Sequence, residues 1–76
     1  LEKQENWYQA LHFYNKCIKL NPHNAEYWKA AAHAEFKIGN TISSISAYEE
    51  ASHLSPEDKE IWLNWSFIYY EQGEHA

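Results

Sequence analysis

Arginine is absent from this 76-residue chain, and all six of its basic residues are lysine. Eleven acids bring the formal charge to −5, and among the lysines only Lys16 and Lys19 lie close together. Phosphate recognition draws on clustered Lys and Arg, so direct binding of nucleic acid is not expected. Glycine and proline occur only twice each, which favours a few long regular elements over many turns. No run of about 18 apolar residues occurs, so no membrane-spanning segment is expected, and no charged-apolar-small leader is visible. Cys17 is the only cysteine. An internal disulfide is therefore excluded, and the cytoplasm is the expected compartment.

Aromatic residues are plentiful, with four Trp, six Tyr and three Phe. They supply large apolar area per residue and argue against disorder. A chain of this length makes one domain at most and buries about 60% of its unfolded surface, so its core is small.

Much of the sequence is said twice. LNPHNAEYW, from Leu20 to Trp28, returns as LSPEDKEIW, from Leu54 to Trp62. Pro22 and Pro56, Trp28 and Trp62, and Gly39 and Gly73 are each 34 residues apart. Tyr14 with Tyr48, Asn6 with Asn40, and the small pair Cys17 with Ala51 share that offset. A fixed period between about 20 and 50 residues is the signature of a stacked array. Within a period the apolar spacing is helical: Tyr27, Ala31, Ala34 and Ile38, then Ile42, Ile45, Tyr48, Ala51 and Leu54. Gly39 and Asn40 tolerate the left-handed conformation that ends helices. Ser55 precedes a proline and so leaves the helical region. The stretch SPED suits a helix start, with Ser55 as cap, Pro56 in the first turn, and Glu57 and Asp58 at the positive end of the dipole. Four helices are predicted, over residues 5–20, 24–38, 41–54 and 58–72. Small residues (Ala10, Ala31, Ala32, Ser44, Ala47, Ala51, Ser66) mark close approaches, and Tyr14, Trp28, Tyr48 and Trp62 are expected between hairpins.

The pattern resembles the tetratricopeptide repeat, a helix–turn–helix of the same period. Trp28, Ala32, Gly39, Tyr48, Ala51 and Pro56 fit its early Trp, small residue, turn Gly, second-helix aromatic and Ala, and boundary Pro. Ala10, Tyr14 and Pro22 fit a preceding half, with Cys17 in the usual Ala place. Trp62, Ser66, Tyr69 and Gly73 fit a following half. The resemblance implies an all-α fold of antiparallel helix hairpins stacked in a right-handed α-solenoid. It divides the chain into a second helix at 1–22, a complete repeat at 23–56, and a first helix and turn at 57–76, a segment of a longer array. There are departures: the family's Leu three residues after the Trp is Ala31 in one copy and Trp65 in the next, its Tyr is Glu35, and Ser44 replaces an Ala. The Ala31–Trp65 pair reads as an exchange of volume across the stack. Half-a-TPR repeats of RNA-processing scaffolds are an alternative, since Trp62 with Trp65 and Trp28 with Glu35 each fit part of that pattern. They favour Arg, which is absent here.

Catalytic and metal chemistry find no purchase. His12, His23, His33, His53 and His75 include no pair three or four residues apart, the spacing that sets two zinc ligands on one helix face. They read as separate solvated or partly packed imidazoles. Cys17 takes a buried small-residue place and reads as a small hydrophobe rather than an activated nucleophile. Neither a glycine-rich phosphate loop nor a G-x-S-x-G motif occurs. No enzyme activity and no cofactor are expected.

A protein–protein interaction scaffold is the expected function, with a peptide or helix of a partner held in the concave groove of the array. By the resemblance, the groove lining would be Glu26, Lys29, His33, Phe36 and Lys37, then Glu60, Leu63, Asn64, Phe67, Tyr70 and Glu71. Some members of the family clamp the terminal carboxylate of heat-shock chaperones. Lys29 and Asn64 match two places of that clamp, and His33 replaces a third. A structural self-assembling array is the other reading: Leu63 and Phe67, with Tyr8, Phe13 and Ile18 on the first helix, could be stacking surface, and the chain is expected to pair with a copy of itself.

Overall fold

The computed structural model describes residues 2–75, with side-chain surroundings over residues 6–72. Among the described residues there are four helices: α1 Glu2–Leu20, α2 Ala25–Ile38, α3 Thr41–Leu54 and α4 Lys59–His75. No strand occurs among the described residues. The molecule is a slab of 37 × 34 × 16 Å between its outermost Cα atoms. Its thickness suits two layers of helices packed about 8–10 Å apart.

The repeated turn has one mechanism in both copies. The Trp28 indole N–H donates to the Pro22 carbonyl at 2.7 Å, and the Trp62 indole N–H donates to the Pro56 carbonyl at 2.8 Å. The six-residue spacing of Pro and Trp is thus the span of a side chain reaching back over a helix start. Helix capping is shared as well. Asn24 Oδ1 accepts the Glu26 backbone N–H at 2.9 Å, and Asp58 Oδ1 accepts that of Glu60 at 3.0 Å. The cap of α4 is therefore Asp58, not Ser55, and Pro56 lies in the turn before the helix rather than in its first turn. A capping carboxylate must reach an N–H two residues on, and the chain at Ser55 is still turning: Asp58 N–H donates to the Ser55 carbonyl at 3.1 Å.

Gly39 ends α2 in the left-handed region, at φ 109°. Its N–H reaches the Glu35 and Phe36 carbonyls, each at 3.1 Å, and the Asn40 N–H reaches that of Glu35 at 2.9 Å. Those bonds satisfy carbonyls that a helix end leaves open. Gly73 behaves otherwise. The expected stop there is replaced by helix that continues to His75, because glycine permits a left-handed turn without compelling one.

α2 packs closely on both α1 and α3, while α4 meets α3 with far fewer of its residues. The core consists of Ala32, Ala47, Tyr48, Ala51, Ile61 and Ile68, with Trp28, Phe36, Ile45 and Trp65 packed against it. Burying side chains the size of Tyr48, Ile61 and Ile68 contributes about 1.5–3 kcal/mol each. Alanines at the α2–α3 contact let the helices approach, and Ser44 fits among them because its buried hydroxyl donates to the Ala32 carbonyl at 2.7 Å. Some expected fillers lie elsewhere. Trp62 is 47% exposed, Tyr14 and Cys17 are half-buried, and Ser66 is exposed, since the face of α4 that carries Trp62 and Ser66 is not covered by α3. Trp65 stacks on Trp62 and Tyr69, and Ala31 looks onto a depression between α1 and α3, so the two do not trade volume.

Candidate interaction groove

Residues one helical turn apart share a face of a helix. On α2 this groups His33, Phe36 and Lys37, and on α4 Leu63, Asn64, Phe67 and Tyr70. Where the two faces converge, His33, Phe36, Lys37, Asn64 and Phe67 line a pocket of about 150 Å³, floored by Tyr48 and Ile68. Phe36 and Phe67 meet edge to face with ring centroids 6.1 Å apart, a favoured aromatic geometry. Trp7 of α1 stands edge-on to His33 at 5.1 Å.

The polar groups of the pocket are tuned by their surroundings. Burial pushes the Tyr48 phenol above its ordinary value, Glu60 adds to this, and the hydrogen bond with the Asn64 side chain offsets part of it. His33 is held below its ordinary value, first by burial and then by the neighbouring Lys37. A neutral imidazole, an amide and a phenol are therefore presented together, beside Lys37, which is in no ion pair among the described residues.

At the other end of the groove the expected lining residues hold one another. Lys29 Nζ lies 2.9 Å from Asp58 Oδ2, 3.0 Å from Glu60 Oε1 and 3.5 Å from Glu26 Oε2. The Asp58 hydrogen bond raises Lys29 well above the usual lysine value, and Lys29 in turn lowers Asp58. Asp58 thus caps α4 and ties it to α2. A lysine already sharing three carboxylates is not poised to clamp a fourth, so the clamp suggested by Lys29 and Asn64 lacks its cation. Leu63, Phe67 and Tyr70 are exposed, and Glu71 is half-buried.

Three contributors escaped the sequence reading of the groove. Tyr48 and Ile68 form the floor from core positions, and Asp58, by its position a helix-start acid, also holds Lys29. A signal for Tyr48 existed in its 34-residue match with Tyr14, which put it between hairpins. Nothing in the spacing ties Asp58 to Lys29. Among the described residues there is no cluster of three or more possible metal ligands, and no helix is long and apolar enough to cross a membrane.

No protein-family model matches the chain. Relatives do: over 72 residues it is 31% identical to tetratricopeptide repeat protein 33 of Homo sapiens, a match covering 91% of this chain and 28% of that protein. The Mus musculus protein of the same name is 29% identical over 72 residues, with the same coverage of 91% and 28%. Proteins named for tetratricopeptide repeats thus match most of this chain, and its all-helical fold fits such repeats. Tetratricopeptide repeat-containing protein trd-1 of Caenorhabditis elegans is 25% identical over 74 residues, covering 97% of this chain and 10% of that protein. The chain spans 28% or less of the length of these relatives.

Proposed function

We propose that this tetratricopeptide segment binds a partner protein in the groove between α2 and α4, with 23–56 as its complete repeat. The observation that carries the reading is the convergence of His33, Phe36, Lys37, Asn64 and Phe67 on one pocket. An apolar side chain of the partner packs over the Phe36–Phe67 pair. A carboxylate of the partner pairs with Lys37, and Asn64 and His33 supply hydrogen bonds. Aromatic anchors with a charged neighbour are where binding energy concentrates, and an extended peptide or a helix can present both groups.

The experiment is a fluorescence titration with peptides that carry a leucine or phenylalanine beside an aspartate or glutamate. Binding that weakens about tenfold or more in Lys37→Glu and in Phe67→Glu supports the groove. Peptides that bind both variants as well as the original chain would refute it.

A second reading, self-assembly, is favoured by the apolar surface that α1 and α4 leave open, where Tyr8, Phe13, Trp62, Leu63 and Phe67 are all exposed. Singly exposed apolar residues are ordinary, so this reading rests on how many large ones these two helices carry. In this reading two copies pair through α1 and α4, and the partner's place is taken by the chain itself.

A further inference from the structure

The face of α2 turned away from the groove carries Trp28, Ala31 and Glu35. Together with Ile18 of α1 and Ile42 and Glu50 of α3, they line a second depression of about 400 Å³. That size lies within the roughly 300–1,000 Å³ of small-molecule sites, so it has room for a large side chain of a partner. Ala31, only 3% exposed, forms the floor, and Ile42 stands 80% exposed at the wall. The rim is acidic. Glu35 Oε1 accepts from Asn40 Nδ2 at 2.9 Å, which fixes one carboxylate there, and Glu50 supplies the other. Neither is in an ion pair among the described residues, where every ion pair belongs to Lys29.

The corresponding stripe of α4 shows what the depression lacks. Thirty-four residues after Trp28, Ala31 and Glu35 stand Trp62, Trp65 and Tyr69, whose rings stack at 5.4 Å and 6.2 Å. Aromatic rings cover the one stripe; alanine and a carboxylate leave the other hollow.

We infer that the depression between α1, α2 and α3 is a second docking site, which takes a basic amphipathic helix of another protein. An apolar side chain of that helix sits over Ala31 between Ile18 and Ile42, and a lysine or arginine one turn away pairs with Glu35 or Glu50. Charge selects the occupant. A neutral or acidic segment would strip water from two carboxylates without replacing it, which is costly. The groove on the opposite face of α2 presents Lys37 instead, so the two faces call for partners of opposite charge.

The test uses two labelled helical peptides, one with a leucine face flanked by arginines and one with glutamate in place of each arginine. Affinity is read by fluorescence anisotropy, and the site by the isoleucine methyl resonances. The expected result is binding of the arginine peptide alone, weakened by salt, with shifts at Ile18 and Ile42 and little change at Ile61 and Ile68. Ala31→Leu fills the floor and Glu50→Lys reverses the rim, and each weakens binding about tenfold; Phe67→Glu leaves it unchanged. Glu50 is exposed, so its variant folds even if Ala31→Leu disturbs packing, with helicity checked by circular dichroism. Absence of binding, equal binding of the glutamate peptide, shifts gathered at Ile61 and Ile68, or indifference to Glu50→Lys would each overturn the inference.

Discussion

Trp28, Ala31 and Glu35 on α2 and Trp62, Trp65 and Tyr69 on α4 hold matching places in two copies of one repeat, yet they build opposite surfaces. On α2 the stripe is a hollow with an acidic rim; on α4 it is three stacked rings. The same contrast holds at another pair of places. Lys29 gathers Glu26, Asp58 and Glu60, while its counterpart Leu63 is 68% exposed. What the copies share is confined to the turn: the indole bond to the proline carbonyl and the Asx cap. A repeat of this kind fixes the backbone through a handful of residues and leaves the outward stripes free to differ, so each copy can carry its own surface chemistry.

The steepest contrast lies between the two faces of α4. Ile61→Ala empties a fully buried site and should cost about 2–5 kcal/mol in urea denaturation. Leu63→Ala, two residues on, should stay within about 0.5 kcal/mol. Next come the two glycines, matched in sequence and different in conformation. Gly39→Ala forces a side chain into the left-handed region at φ 109° and should cost about 1–2 kcal/mol. Gly73→Ala, within α4, should instead stabilise by about 0.5–1 kcal/mol. Thermal melts of the two variants should therefore move in opposite directions. Trp28→Phe and Trp62→Phe each remove an indole N–H from a proline carbonyl, and a lost hydrogen bond of this kind costs about 1 kcal/mol. Similar losses in both copies would fit a common turn mechanism; a loss in one alone would break the equivalence.

The smallest effect is expected from pH. Because burial and Lys37 lower the His33 value, the unfolded chain takes up its proton first as the pH falls. Stability from this group is complete above about pH 6.5, the ordinary histidine value. It declines as the pH drops from there towards the folded value. His33→Gln should flatten that part of the stability profile, measured by denaturation between neutral and mildly acidic pH.

Much of the fold was legible because its determinants are local. Gly39 and the prolines punctuate the chain, and periodic apolar residues mark the helices between them. Ser55 and Asp58 are both good capping residues three positions apart, and only the path of the turn chooses between them. Gly73 shares its neighbour's spelling without its conformation. The groove was legible as a face, since helical spacing groups His33 with Phe36 and Lys37 and Asn64 with Phe67. Their partners were not. The Lys29–Asp58 contact depends on how far α4 swings towards α2, and the hollow over Ala31 depends on the gap between α1 and α3. Both are set by packing angles that no single helix encodes.

The most direct measurement is the mass in solution, by light scattering, of the chain and of a Leu63→Glu, Phe67→Glu double variant. If the groove face is kept for a partner of another kind, the two proteins will have the same mass, and the double variant will remain helical. A dimer that becomes a folded monomer on double substitution would contradict the groove, because residues 63 and 67 would then be the surface on which copies of the chain stack.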